Sequence, residues 1–201
     1  MNTLVIATHN PGKLAEFSRL LAPLGYESLS AGALGLPEPA ETGRDFASNA
    51  RLKAQAAARA SGLCALADDS GLGVAALNGQ PGIYSSRYAG DDYPGAFAKI
   101  IAAARAKENW AAWFTCALCL ARPDGATATY IGEADGRIAP EPRGEAGFGY
   151  DPLFIPNGYE RSYAEMGAQK EAISHRARAF AQLRAVLASG AGLASPLISN
   201  F

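Results

Sequence analysis

Leu66-Ala67-Asp68-Asp69-Ser70-Gly71-Leu72 decides how the rest of the chain is read. An apolar run at 63–67 stops at two adjacent carboxylates, a hydroxyl and a glycine, and a second apolar run at 72–77 follows at once. Short apolar runs bounded by turn residues read as strands, so the spacing predicts two strands meeting at an acidic elbow. Adjacent carboxylates repel each other and stay charged only where cations or donors compensate. Hard oxygen ligands of this kind suit magnesium. A solvated Asp-Asp-Ser-Gly turn has the same composition, so the flanking segments must decide between the two.

Upstream, the short β-rich run at 3–7 is followed by Thr8-His9-Asn10-Pro11-Gly12-Lys13, and then Leu14, Phe17, Leu21 and Leu24 recur at helical steps. Asn10 suits an N-cap and Pro11 the first helical position. Free N–H groups at such a helix start attract anions, and Lys13 adds a positive charge there. The Walker A spacing is absent. The same loop could serve only as a helix start, with Lys13 and Glu16 as a solvated pair. Residues 30–43 are rich in Gly, Pro and Glu and end in Glu41-Thr42-Gly43; a helix is predicted from about Asp45 to Ala60, stopping at Gly62.

Downstream, Asn78-Gly79 marks a turn, and 80–90 reads as a long glycine-, aromatic- and hydroxyl-rich loop containing Ser85-Ser86-Arg87. A helix is predicted at 93–106. Two β-rich runs at 110–121 and 126–138, joined at Pro123-Asp124-Gly125, should pair antiparallel. A Gly/Pro loop then ends in Phe148-Gly149-Tyr150-Asp151-Pro152. A single closing helix is marked by Ile173, Ala177, Phe180, Leu183 and Leu187, with Lys170, Ser174, His175 and Arg176 at its start. The stretch after Gly190 shows no clear element.

The 201 residues are enough for one large domain or two lobes around an ample core. With 18 basic against 19 acidic residues, no imbalance points to nucleic acid or to a membrane surface, although local cations could still hold a polyanion. Met1-Asn2-Thr3 leads into a short apolar strand rather than a charged region and long apolar core, and no run approaches a membrane span. A cytoplasmic protein without a signal peptide is expected. Cys116 and Cys119 form a C-x-x-C, but it sits in a β-rich run, has no second pair, and has only His9 and His175 to help it. Buried core thiols are the expectation.

Taken together, Thr8-x-Asn10-x-x-Lys13-x-x-Glu16, Glu41-Thr42-Gly43, 67–72, Pro81-Gly82-Ile83-Tyr84-Ser85-Ser86-Arg87, 148–152 and Ser174-His175-Arg176 resemble the Ham1/RdgB inosine triphosphate pyrophosphatase family. The blocks run in family order over about residues 3–185, and none is broken. The resemblance implies a single domain over 1–201. Its fold would be α/β: an elongated, two-lobed mixed-sheet structure (ITPase-like, Maf/Ham1) with the substrate in the cleft between lobes. It also implies hydrolysis of noncanonical purine nucleoside triphosphates (ITP, dITP, XTP) to monophosphate and pyrophosphate, magnesium as cofactor, and a homodimer. The nearest rival is a Maf-like pyrophosphatase for pyrimidine or modified nucleotides; a non-catalytic nucleotide-binding module is the other.

On this reading Asp69 is a magnesium ligand and the family's proton acceptor. Glu41 is the second carboxylate at the metal, with Glu38 a possible substitute, and Asp68 is a partner that orients the metal's water shell. Thr8, His9, Asn10, Pro11, Gly12 and Lys13 hold the triphosphate, and Ser70 bonds a phosphate or sugar oxygen. Phe148 stacks on the purine, beside Gly149 and Tyr150. Asp151, Lys170, His175 and Arg176 bond the base edge or neighbouring groups. Hypoxanthine and xanthine carry a 6-keto acceptor where adenine carries a 6-amino donor. Donors from Arg176 and His175 aimed there would be left unpaired by adenine, which discriminates strongly. Asn10 as a mere cap, Thr42 as part of a turn and Arg87 as a surface ion-pair partner are the alternatives.

Overall fold

Thirteen regular elements follow one another in the computed structural model, which describes residues 2–188. They are β1 (Asn2–Ile6), α1 (Pro11–Leu21), β2 (Tyr26–Ser30), α2 (Phe46–Ser61), β3 (Ala65–Val74), α3 (Ser85–Ala89), α4 (Tyr93–Ala106), β4 (Ala111–Ala121), β5 (Thr127–Ile138), β6 (Phe154–Pro156), α5 (Tyr163–Met166), α6 (Lys170–Ile173) and α7 (His175–Ala188). The sheet runs β2-β1-β3-β4-β5-β6. It is mixed: β1 is parallel to β2 and to β3, while β5 and β6 are antiparallel. The described residues divide into two compact units, one of 2–69, 117–131 and 178–188, the other of Ser70–Cys116 and Gly132–Ala177.

In the first unit the strand order reverses at β1. The crossover through α1 goes one way to β2, and the crossover through α2 comes back past β1 to β3. Right-handed crossovers therefore place α1 and α2 on opposite faces. Side-chain parity follows suit. Val5, Ala7, Ala65, Ala67, Ala117, Cys119 and Ala121 pack with Ala50, Ala54, Ala57 and Ala58 of α2. The alternate residues Leu4, Ile6, Leu66, Leu118 and Leu120 are fully buried on the other face. An almost all-alanine interface brings α2 close to the sheet. Asp45 starts that helix through a capping box with Ser48 (Oδ1 accepting from Ser48 N–H at 2.7 Å), and Gly62 ends it at φ 70°.

The second unit has an aromatic core. Phe97 and Ile100 of α4 pack with Leu72, Val74, Phe114, Leu153, Phe154 and Tyr163. The helix at 93–106 and the two long strands stand where the periodicity predicts them. The strands are joined by a tight turn in which Arg122 N–H donates to the Ala126 carbonyl at 2.9 Å, so they run in opposite directions.

Three expectations need correction. The acidic elbow does not exist: β3 continues unbroken from Ala65 to Val74. Its glycines serve close approach rather than turning. A Cβ at Gly71 would collide with the Gly82 carbonyl and Ser85 Oγ, and one at Gly73 with the Trp113 indole. The strand stops at Val74, and Ala75–Leu77 is a 3₁₀ turn leading to left-handed Asn78 (φ 53°) and Gly79 (φ 85°). The long loop at 80–90 contains a 3₁₀ turn, Gly82–Tyr84, and helix α3. The single closing helix is broken at Ser174 (ψ 160°), whose Oγ accepts from Ala177 N–H at 3.1 Å and so caps α7.

The reading of the stretch after Gly190 lies outside the described residues. Among those described, no helix is long and apolar enough to cross a membrane. Cys116 and Cys119 are buried free thiols, as expected.

Candidate active site

β1 pairs with β3 at Val5↔Ala65 and Ile6↔Leu66. Just beyond, the chain leaves β1 for the loop to α1, at the strand-order reversal where open parallel sheets bind ligands. The next residues of β3 include the two carboxylates. Asp68 shares parity with Leu66, and Asp69 with Ala67, so they face opposite sides of the sheet. Each has its own lysine from its own helix. Lys13, in the first turn of α1, brings Nζ to 2.6 Å from Asp68 Oδ1. Lys53 of α2 places Nζ 3.0 Å from Asp69 Oδ1 and 2.8 Å from Glu41 Oε1. One turn earlier, Asn49 Nδ2 donates to Asp69 Oδ2 at 3.1 Å, while Asn49 Oδ1 accepts from Gly43 N–H at 2.8 Å. Strand alternation keeps the adjacent carboxylates apart, and lysines neutralise them.

Burial pushes the Asp69 carboxyl above the ordinary carboxylate range; the Lys53 ammonium opposes this, and the Glu41 carboxylate adds to it. Burial by itself would lower the Lys53 pKa, but Asp69, Asp68 and Glu41 outweigh it and the net shift is upward. Lys53 therefore stays charged, while Asp69 moves toward the range useful to a general base.

The loop before α1 is already satisfied. Asn10 Oδ1 accepts from Gly12 N–H at 2.8 Å and Lys13 N–H at 3.1 Å, and Leu14 N–H donates to the Asn10 carbonyl at 3.1 Å. Pro11 has no N–H, so the first-turn donors of α1 are engaged. Asn10 N–H in turn donates to Thr8 Oγ1 at 3.1 Å. A phosphate using the Gly12 or Lys13 N–H groups must displace the exposed Asn10 side chain. Glu38 stands near His9 (Oε2 to Nδ1 3.6 Å), whereas Glu41 joins the Lys53–Asp69 cluster.

In the second unit, Asp151 Oδ2 accepts from Lys170 Nζ at 2.7 Å and from Phe148 N–H at 2.9 Å, with both Asp151 and Lys170 buried. Gly147 makes room, because a Cβ there would strike the Asp151 carboxylate. Lys170 Nζ lies 4.9 Å from the Phe148 ring centroid and Arg176 Cζ 5.7 Å. Arg176 Nη2 donates to Ser70 Oγ at 3.1 Å. His175 stacks flat on Phe114, centroids 4.6 Å apart. Tyr150 is buried, with Oη donating to the Ser85 carbonyl at 2.8 Å, and Gly149 sits beside it at φ 63°. Arg87 lays its guanidinium over Tyr84 at 5.3 Å.

A model of the Ham1 family matches residues 4–186. The chain belongs to the Ham1 family. The dITP/XTP pyrophosphatase of Rhodopseudomonas palustris is 52% identical to it, over 93% of this chain and 96% of the relative. That of Zymomonas mobilis is 50% identical over 90% of each. A solved Ham1 protein from Coxiella burnetii superposes with a TM-score of 0.84 at 41% identity, covering 94% of this chain and 100% of that one.

Within this Ham1 chain, sequence reasoning missed Asn49 and Lys53. The signal was available. The buried stripe of α2 is Asn49, Ala50, Lys53, Ala54, Ala57 and Ala58, and two polar residues at i,i+4 on an otherwise alanine stripe need buried partners. For magnesium, the hard oxygens of Glu41 and Asp69 already turn toward one cationic point, the Lys53 ammonium. Among the described residues, no three His, Cys, Asp or Glu side chains are grouped so as to hold a metal ion by themselves. A small cation here would draw its other ligands from water and phosphate, as magnesium usually does.

Proposed function

We infer that this Ham1 chain hydrolyses noncanonical purine nucleoside triphosphates, dITP and XTP together with ITP, to the nucleoside monophosphate and pyrophosphate, so clearing them from the nucleotide pool. The observation that carries the reading is Asp69. It is a buried carboxylate at the sheet's switch point, with one oxygen held by Asn49 and the other by Lys53, beside a second carboxylate, Glu41. The names of the close relatives support the same substrate class.

In the proposed reaction Asp69 takes a proton from a water. The water oxygen bonds to the α phosphorus, and the bond from that phosphorus to the bridging oxygen breaks, releasing pyrophosphate. Lys13 and Lys53 hold phosphate oxygens and offset the charge that develops on the leaving group. Glu41 and Asp69 would hold magnesium, which would supply Lewis-acid neutralisation of the phosphate oxygens. Asp68 fixes the Lys13 ammonium. At the base end, Phe148 offers a stacking face flanked by Lys170 and Arg176, whose donors suit a 6-keto oxygen. Asp151 orients Lys170 and the Phe148 backbone, and Tyr150 anchors the segment from behind.

Product analysis with magnesium tests this, comparing ITP, dITP, XTP, GTP, ATP and dUTP. Pyrophosphate and monophosphate from the first three, with little from the rest, is the expected result. Orthophosphate with a diphosphate would place attack at the γ phosphorus and overturn the mechanism. Preferential turnover of dUTP would favour a pyrimidine pyrophosphatase of the Maf kind. The homodimer stands as a proposal too, checked by light scattering of the purified chain. Cytoplasmic residence, where nucleotide pools are used, is checked by cell fractionation.

A further inference from the structure

Asn49 is fully buried and makes two hydrogen bonds of opposite sense. Its Nδ2 donates to Asp69 Oδ2 at 3.1 Å, and its Oδ1 accepts from Gly43 N–H at 2.8 Å. One turn along α2, Lys53 makes the parallel pair of links, to Asp69 Oδ1 and to Glu41 Oε1. The segment Glu41–Gly43 is thus fastened to the Asp69 carboxylate at both ends, by two rungs of one helix. The contact is close: a Cβ at Gly43 would run into Ser48 Oγ, Asn49 Oδ1 and Asn49 N. Glycine at 43 is what lets the loop lie against the amide.

We propose that Asn49 is a positioning residue for this reaction, setting the orientation of the Asp69 carboxylate and fixing the Glu41–Gly43 segment against it. The proposal rests on the reading of Asp69 and Glu41 given above. Only an amide supplies both bonds at this length. Aspartate would still accept from Gly43 N–H but would face Asp69 with an acceptor and a like charge. Glutamine is one methylene too long for a closed site. Alanine loses both bonds and leaves the part-buried Gly43 N–H without the Asn49 acceptor.

The test compares Asn49→Asp, Asn49→Ala and Asp69→Asn. Asn49→Asp should lower kcat by about 10²-fold, the scale of a misplaced catalytic group, with KM for ITP changed by no more than about threefold, since nothing in the Thr8–Lys13 loop is altered. A residue that merely anchored the loop would give the opposite result: Asn49→Asp keeps the Gly43 bond and would turn over like the parent, and that outcome overturns the proposal. A second readout does not use turnover. Manganese binding to the free protein, by calorimetry, should be about tenfold weaker in Asn49→Ala, as for other residues that orient metal ligands. Unchanged binding there also counts against the proposal. Should Asn49→Ala fail to fold, Asn49→Asp carries the decision through its kcat and KM. In an Asp69→Asn background Asn49→Asp should cause no further loss of kcat. If Asp69→Asn by itself keeps normal turnover, the reading of Asp69 has failed, which is distinguishable from failure of the Asn49 proposal.

Discussion

Two buried lysine–aspartate pairs, one in each unit, have similar geometry and different surroundings. Lys53 meets Asp69 at 3.0 Å and Lys170 meets Asp151 at 2.7 Å. Around the first, three carboxylates (Glu41, Asp68, Asp69) share two ammoniums (Lys13, Lys53), leaving a surplus of negative charge. Around the second, Asp151 stands with Lys170, and Arg176 lies over the same Phe148 ring, leaving a surplus of positive charge. The pairs look alike, yet the carboxylates named outnumber the ammoniums in the first cluster, and the cations named outnumber the carboxylates in the second. The proposed function gives the triphosphate and its metal to the first and the 6-keto purine to the second. On that proposal, charge balance rather than the ion pair itself distinguishes the two.

The sharpest way to break this comparison is to remove the lysines. Lys53→Met and Lys170→Met each leave a buried carboxylate without its cation, a loss of about 3–5 kcal/mol for such pairs. For Lys53 that figure is a ceiling, because Asp69, already pushed upward by burial, can take a proton instead. Millimolar magnesium should recover much of the lost stability in Lys53→Met by binding the folded state, and should do nothing for Lys170→Met. Thermal melts with and without magnesium read this directly. Equal rescue of both, or of neither, would remove the distinction.

Arg176→Ala addresses the second cluster alone. It deletes the bond to Ser70 and a charged donor beside Phe148. Charge-assisted hydrogen bonds contribute about 1.5–3 kcal/mol, so the ratio of kcat/KM for ITP over ATP should narrow by about tenfold or more. Manganese binding to the free protein should not change. An unaltered ITP/ATP ratio would move base selection away from Arg176.

How much of this was legible in the sequence depends on how local the cause was. Helix α4 was readable because Asp92 caps it and its apolar spacing is regular. Asp68 and Asp69 stand out in the sequence, but the composition there reads as an elbow, since Asp, Ser and Gly are turn formers. What keeps β3 straight is distant: Gly71 fits against the turn at Gly82–Ser85 and Gly73 against Trp113. Strand alternation separates the carboxylates and asks for two partners. Lys13 was found because a helix start after a strand announces itself. Lys53 was passed over as one more polar residue of an alanine- and arginine-rich helix, and its carboxylates lie 12 and 16 residues away in sequence. The hydrogen bond from the Tyr150 hydroxyl to the Ser85 carbonyl spans 65 residues and has no local signal. The break at Ser174 escaped because the apolar spacing runs across it, and only the cap geometry shows that α7 begins anew.

The smallest effect expected concerns the start of α2, which carries both Asn49 and Lys53. Asp45 accepts from Ser48 N–H and faces the Ser48 hydroxyl. These bonds, the backbone one foremost, hold its carboxyl below the usual carboxylate range. A carboxylate whose pKa is lower folded than unfolded contributes stability that is present above the unfolded value. That contribution is lost as pH falls through the unfolded and then the folded value. Asp45→Ala should therefore cost about 1 kcal/mol at neutral pH, the usual scale of a lost N-cap. The difference from the parent should be flat above about pH 5 and shrink below about pH 4, as protonation removes the charged part of the cap in the parent as well. Urea melts of both proteins between pH 3 and 7 measure it. A difference that stayed the same down to pH 3 would show the cap to be indifferent to charge, and the loosened helix start would then have to be traced to Ser48 instead.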